Sequence, residues 1–260
     1  MNDLPFLWKL EKDGVTSYAI GTVHAYSEDC TDALRELSER VEQFCFELDL
    51  MSLSPEEQLG IMQKQQELGA MPMKPILDLL SPEECEIYRK AYGLSEEELE
   101  NLTYGGVLQK GLENEGYDLT KGLDVTLMQL AQAKPRHSLE TLEEQLGVIE
   151  TIKDLTPEQH AQALRKLIES SGSADNDKAL SDAYKNGDAE RLLDCLDMTA
   201  IGQVKEQFMY SRNRQMAARA LKHLGKPSII ATGTYHLIGE KSVLEYLRKE
   251  GVKIERIQPK

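Results

Sequence analysis

Tyr18-Ala19-Ile20-Gly21-Thr22-Val23-His24 near the start of the chain and Ser228-Ile229-Ile230-Ala231-Thr232-Gly233-Thr234-Tyr235-His236 near its end follow one plan. In each, a short apolar run reaches Gly-Thr-x-His, and a helix-like stretch and a second apolar run follow. The pattern places a glycine and a histidine at a strand end, twice, where folds expose reactive groups. The glycine is expected to turn the backbone sharply, and the histidine to project toward a cleft. Two of the five histidines in the chain fall in this repeated context.

Outward from the first copy, Phe6–Leu10 and Val15–Ile20 flank Lys12-Asp13-Gly14, a β-hairpin with an Asp-Gly turn. Residues 29–42 carry Ala33, Leu34, Leu37 and Val41 at the spacing of an amphipathic helix. Phe44–Leu48 then reads as a short strand. Outward from the second copy, Val243–Leu247 belongs to a helix stopped by Gly251, and Val252–Ile257 alternates as a strand. The fold class is therefore α/β (α+β): a central mixed β-sheet built from the N- and C-terminal strand–GTxH–helix–strand units, with a large helical insertion between them. One domain over 1–260 is expected, with sheet core 1–50 and 224–260 and helical region 51–223. Both histidines then share one sheet edge, provided that the first and last sheet segments lie side by side.

The interior reads as helical because start signals recur in it. Ser54-Pro55-Glu56-Glu57, Ser81-Pro82-Glu83-Glu84, Ser95-Glu96-Glu97-Glu98 and Thr156-Pro157-Glu158-Gln159 each place a hydroxyl at the N-cap and an acid or amide three positions on. Residues 170–176 form a polar loop candidate, and Asn186-Gly187 marks a turn.

A net charge of -15, with no basic stripe, argues against nucleic acid as a partner. No apolar run approaches the ~20 residues of a membrane span, and Met1–Pro5 shows no signal peptide. As written the chain reads as cytoplasmic, or as extracytoplasmic or membrane-attached if a leader was trimmed. The four cysteines include no Cys-x-x-Cys pair, and Cys45, alternating with Phe44 and Phe46, reads as a core thiol. There is no Gly-x-Ser-x-Gly elbow, no His-Glu-x-x-His helix and no phosphate loop.

Imidazole nitrogen ligates divalent transition metals and acts as a base near neutral pH. His24 and His236 at neighbouring strand ends are candidates to share one cation. Glu47, a charge interrupting the apolar strand 44–48, is the candidate carboxylate, because an unpaired charge there is expensive. The bland alternative gives each imidazole a hydrogen bond at a strand end. His137 in a basic loop, His160 in a capped helix and His223 near a helix end read as surface residues. Asp124 reads as a helix cap, and Arg212 as either a substrate-carboxylate anchor or a salt bridge.

Phe6–Lys9, Gly21–His24, Phe46–Asp49, Lys121–Asp124, Ser138–Gln145, Arg212–Met216 and Gly233–Gly239 form an ordered set of motifs. Together they resemble the TraB/PrgY/GumN/Tiki group over most of the chain, with a more distant similarity to erythromycin esterases. The resemblance implies a metal-dependent, metalloprotease-like hydrolase. Carried over by motif, His24, His236 and Glu47 become metal ligands or bases for manganese, cobalt or zinc. Arg212 joins them as a catalytic residue, with Glu140, Asn213 and Tyr235 on the substrate, a peptide or small molecule. The rival implied by the same resemblance is a non-catalytic regulatory protein that binds a peptide, a pheromone or haem.

Overall fold

The computed structural model describes residues 4–23, 30–115, 122–171, 176–197 and 205–258. Strands β1 (Leu7–Lys12) and β2 (Val15–Thr22) form the expected hairpin. Lys12 pairs with Val15 across a turn in which Asp13 and Gly14 take φ of 48° and 81°, as a tight primed turn requires. Helix α1 (Thr31–Glu39) buries Ala33, Leu34 and Leu37, the stripe that the spacing gives. Strand β3 (Gln43–Phe46) follows, buried on both faces.

The sheet order is β4-β3-β5-β2-β1-β6, where β4 is Arg136–Ser138, β5 Ser228–Gly233 and β6 Lys253–Ile257. β3 pairs parallel with β4 and β5, and β5 parallel with β2. β1 runs antiparallel to β2 and β6. The α/β class and the mixed sheet therefore hold, and the two terminal units interlock. β5, from the second unit, lies between β2 and β3 of the first, so the two Gly-Thr-x-His motifs leave neighbouring parallel strands at the same sheet edge.

The strand β4 corrects the reading of the interior as wholly helical. Arg136-His137-Ser138 has no apolar run to announce it, and it is a strand because its backbone pairs with Phe44–Phe46. The other interior elements are helices: α2 (Pro55–Gly69), α3 (Lys74–Leu77), α4 (Pro82–Ala91), α5 (Glu96–Glu100), α6 (Tyr104–Glu115), α7 (Leu123–Leu130), α8 (Leu142–Lys153), α9 (Pro157–Ser171), α10 (Asn176–Lys185), α11 (Ala189–Asp197) and α12 (Ser211–Leu221). Ser54, Ser81 and Ser95 close reciprocal capping boxes with Glu57, Glu84 and Glu98, and Thr156 does so with Gln159. Residues 170 and 171 end α9 and Asn176 begins α10; the rest of the polar stretch lies outside the described residues. Gly187, at φ 65°, makes the turn after α10.

Two apolar clusters hold the chain together. The larger joins both faces of the sheet through residues such as Phe6, Leu34, Phe44, Ile230, Met216 and Leu247 of α13 (Val243–Lys249). The smaller, around Met73, Leu77, Tyr88, Leu102 and Ala161, is built by the interior helices. No described helix is long and apolar enough to cross a membrane.

The three histidines read as surface residues are partly or wholly covered. His160 is buried, edge-on to Tyr104 in the smaller cluster. His137 and His223 are half-buried and stack with ring centroids 4.0 Å apart. Polar neighbours in sequence hid these contacts, which come from distant elements. Cys45 is buried as expected, and burial pushes its thiol up to about 12.

Candidate functional site

β3 and β5 are neighbours whose following connections depart toward opposite edges of the sheet, β3 toward β4 and β5 toward β6. In open α/β sheets such a switch point, at the carboxyl ends of the strands, is where a crevice forms. Glu47 follows β3 directly, Gly233 ends β5, and His236 lies three residues on. The backbone aligns the two segments: Glu47 N–H donates to Ala231 O at 3.2 Å, and Glu140 N–H to Glu47 O at 2.9 Å.

Six side chains and one backbone amide meet here. Glu47 Oε2 accepts from Gly233 N–H at 2.9 Å. Glu47 Oε1 accepts from Gln145 Nε2 and from Arg212 Nη2, each at 3.1 Å. Arg212 also clasps Glu140 through Nε–Oε1 and Nη2–Oε2 contacts of 2.6 Å, and Gln145 Nε2 reaches Glu140 Oε2 at 2.5 Å. His236 Nε2 stands 3.6 Å from Glu47 Oε1. On its other side, His236 Nδ1 meets Asn213 Oδ1 at 2.5 Å, while Asn213 Nδ2 donates to Lys241 O at 2.8 Å. Because the Asn213 amide spends its N–H on a carbonyl, its oxygen is the acceptor. The proton of a neutral His236 therefore sits on Nδ1, leaving the Nε2 lone pair toward Glu47.

Arg212 and Asn213 are consecutive, so on α12 their side chains diverge by about 100°, one to the carboxylates and one to the imidazole. A π-helical turn, Glu206–Tyr210, precedes them directly; such turns are frequent at functional sites.

The charges are set by this packing. Burial alone pushes the Glu47 carboxyl up, but His236, Arg212, the Gly233 amide and Gln145 more than offset it, holding it well below the usual carboxylate range. His236 is itself lowered, by burial first and by Arg212 second, against the pull of Glu47. Near neutral pH the imidazole is thus uncharged and Arg212 is the cation that keeps Glu47 ionised. Glu140, with a side chain 1% exposed, is pushed up by burial despite Arg212, so of the two carboxyls it takes a proton first.

Beside this cluster opens a cleft of about 680 Å³. Glu47 and Gln145 lie in its wall with Thr22 and Thr232 from the strand ends, and apolar side chains such as Leu50, Met51, Ile61, Met62 and Ile149 complete it. Leu50, Met51 and Met62 are also exposed at the surface.

Among the residues that the sequence singled out, Glu47, Glu140, Arg212, Asn213 and His236 come together. His24 lies outside the described residues. Tyr235 is half-buried against the main core, where burial raises its phenol. Asn213 fixes the imidazole through its amide oxygen. Arg212 takes the salt-bridge alternative, and Asp124 sits inside α7 behind the cap residue Gly122 rather than capping the helix. Neither motif glycine takes a positive φ: Gly21 lies within β2, while Gly233 ends β5 and leads straight into a 3-10 turn, Thr234–His236. Gly21 is needed for space: a Cβ there would meet Thr234 Oγ1 at 2.8 Å and Thr234 Cα at 3.1 Å. At Gly233 a Cβ meets nothing nearer than 3.5 Å. Gln145 received no role from the sequence. It stands five residues after Glu140, which precedes the N-cap Thr141, and closes the first turn of α8.

The family model described as the TraB/PrgY/gumN family matches residues 6–256, the span that carries every motif above. The chain belongs to the TraB/PrgY/gumN family. No curated protein and no solved structure matches it.

For a divalent cation, this TraB/PrgY/gumN chain offers Glu47 Oε1 and His236 Nε2, 3.6 Å apart, a separation that two ligands at ~2.1 Å from one ion span. The Nδ1–H bond to Asn213 is the support that metal-bound histidines use. With Glu47 and Glu140 ionised, Arg212 leaves the cluster one negative charge in excess. These two donors fit a cation. Among the described residues no group of three His, Cys, Asp or Glu gathers to hold one.

Proposed function

We propose that this protein is a metal-dependent, peptidase-like hydrolase whose reacting centre is Glu47 with His236 and His24. The observation that carries the reading is the pair at the strand ends: an ionised Glu47 in the wall of an apolar cleft, with the lone pair of an oriented, neutral imidazole 3.6 Å behind it. Manganese, cobalt or zinc bound there would polarise a scissile carbonyl and acidify its attacking water. Glu47, His236 and His24 would hold the ion.

The remaining roles follow from the packing. A carboxylate held well below its usual range is a poor proton acceptor, so Glu47 suits the ligand role better than the base role. Asn213 keeps His236 in the tautomer that presents Nε2. Arg212 and Gln145 fix the Glu47 rotamer, and Glu140 holds Arg212. A peptide whose apolar part fills the cleft would displace water from around the carboxylate, which strengthens electrostatic interactions there.

The test is elemental analysis of the purified protein together with a peptide-cleavage screen in manganese, cobalt and zinc. Cleavage that needs the metal and vanishes in His236→Ala, with the fold retained, is the expected result. A metal-free protein that cleaves nothing would overturn the reading.

One observation favours a second reading, a peptide-binding regulator without turnover. Both Glu47 oxygens already accept hydrogen bonds from the protein. A binder would remove peptide in proportion to its own amount and ignore added metal.

A further inference from the structure

Gln145 and Gln58 share an arrangement in the cleft wall that the reading above does not use. Gln145 Nε2 donates to Glu47 Oε1 and Glu140 Oε2. A flipped amide would set its oxygen against two carboxylates, so this orientation is fixed by charge. Gln58 Nε2 donates to Leu50 O and Leu53 O at 3.3 and 3.0 Å, which fixes that amide in the same sense. Each amide spends its two N–H groups within the protein. Among the described residues neither Oε1 receives a hydrogen bond, and both side chains line the cleft, one on α2 and one on α8. The ionisable groups of that wall, Glu47 and Asp124, are acids as well.

We infer that Gln145 is a specificity-determining residue: its Oε1 accepts a backbone N–H from an extended, apolar peptide lying in the cleft, with Gln58 as a second acceptor on the facing helix. The inference rests on the proposed peptide site. A wall whose fixed amides and carboxylates accept, with Thr22, Thr232 and Gln65 as its other polar side chains and apolar side chains over the rest, suits a chain carrying N–H donors between apolar side chains. An ester or acyl chain of the same shape lacks the N–H that half-buried Gln145 would accept and loses that hydrogen bond; at Gln58, which is exposed, water replaces it and the loss is smaller.

The experiment is a backbone ester scan. N-acetyl-Leu-Val-Phe-Leu-Val-amide is titrated into the full-length protein by calorimetry, followed by analogues in which one backbone N–H at a time is replaced by ester oxygen. One or two analogues are expected to bind about three- to tenfold more weakly than the parent, the range for one lost hydrogen bond. In Gln145→Met, which keeps the length of the side chain and loses its amide, the penalty at one position disappears while the others persist. A residue that only braced Glu47 and Glu140 would instead weaken parent and analogues alike in that variant, and such a result overturns the inference. So does a flat scan, or failure of the parent peptide to bind. The hydrolase reading is judged separately by metal-dependent cleavage. A positive scan without turnover leaves the N–H recognition standing and removes the hydrolase, whereas turnover with a flat scan does the reverse.

Discussion

Thr234 occupies the space where Gly21 has no side chain. Its Oγ1 lies 2.8 Å from where a Cβ on Gly21 would be, and that hydroxyl donates to Thr22 O at 3.0 Å. Tyr184 Oη adds a 2.7 Å bond to Gly21 O. The two Gly-Thr-x-His motifs therefore lock together, the glycine of one receiving the threonine of the other. Burial and parallel pairing of β2 with β5 leave no room for either segment to retreat. The repeat is a packing device before it is a chemical one.

Gly21→Ala is expected to destabilise the fold by about 1–3 kcal/mol, the usual cost of overpacking a dense core, because Thr234 Cα, as well as its movable hydroxyl, stands in the way. Gly233→Ala meets only ordinary contacts, with φ of -51°, and is expected to stay within about 0.5 kcal/mol of the parent. Urea denaturation of both variants decides; equal losses would mean that the motifs do not interlock as described.

Arg212 holds two carboxylates of unequal exposure: its own side chain is 10% exposed, that of Glu140 1% and that of Glu47 27%. Arg212→Met strands Glu140, and breaking a buried pair from one side costs about 3–5 kcal/mol. Adding Glu140→Gln to the same chain is expected to restore most of that loss, because a neutral amide needs no counter-charge. A double variant as unstable as the single one would show that Arg212 acts through packing alone.

How far the sequence discloses this molecule depends on how local the determinant is. The hairpin is legible because Asp13-Gly14 is a turn by its own backbone preference. The helix caps are legible because Ser54 and Glu57 satisfy each other within one turn. The strand β4 is not, since Arg136-His137-Ser138 becomes a strand only by pairing with Phe44–Phe46, ninety residues away. Separation in sequence likewise divides the legible half of the site from the rest: Gln145 lies 98 residues from Glu47, Gly233 186, and Asn213 23 from His236. Glu47 announces itself as a charge in an apolar run, and His236 by repetition. Asn213, Gln145 and the Gly233 amide act on them only through the fold. His160 is the opposite failure: a capped helix flanked by polar residues suggests exposure, while its ring closes the core around Tyr104.

His160 gives the pH response of the helical region a sign. Burial lowers it from 6.5, with an opposing hydrogen bond to the Ile152 backbone, and among the described residues its Nε2 has no hydrogen-bond partner. The folded state therefore binds that proton less readily than the unfolded state. Stability from this group is complete above about pH 6.5 and is lost as pH falls from there toward the lowered folded value. His160→Phe is expected to flatten that part of the stability curve, measured by thermal melting between pH 7.5 and 5. His223 and His236, also lowered by burial, add slopes of the same sign, so a partial flattening is the expected outcome. An unchanged slope would place the titrating group elsewhere.

Asn213 determines which nitrogen of His236 faces Glu47, and a one-atom change tests it. In Asn213→Asp the side chain presents a carboxylate to the Nδ1–H, and a negative charge at hydrogen-bond distance stabilises the imidazolium. The pKa of His236, lowered in the parent by burial, is expected to rise, and NMR titration of its ring carbons reads it directly. Protonation fills the Nε2 lone pair, so metal affinity and any cleavage at neutral pH fall in the variant and recover as pH is raised. Asn213→Ala removes the orientation without adding charge and is expected to weaken the same functions with no upward shift of the imidazole. If the aspartate leaves the His236 titration where it was, then Asn213 is not the group that orients the ring, and Nε2 loses its claim to the site.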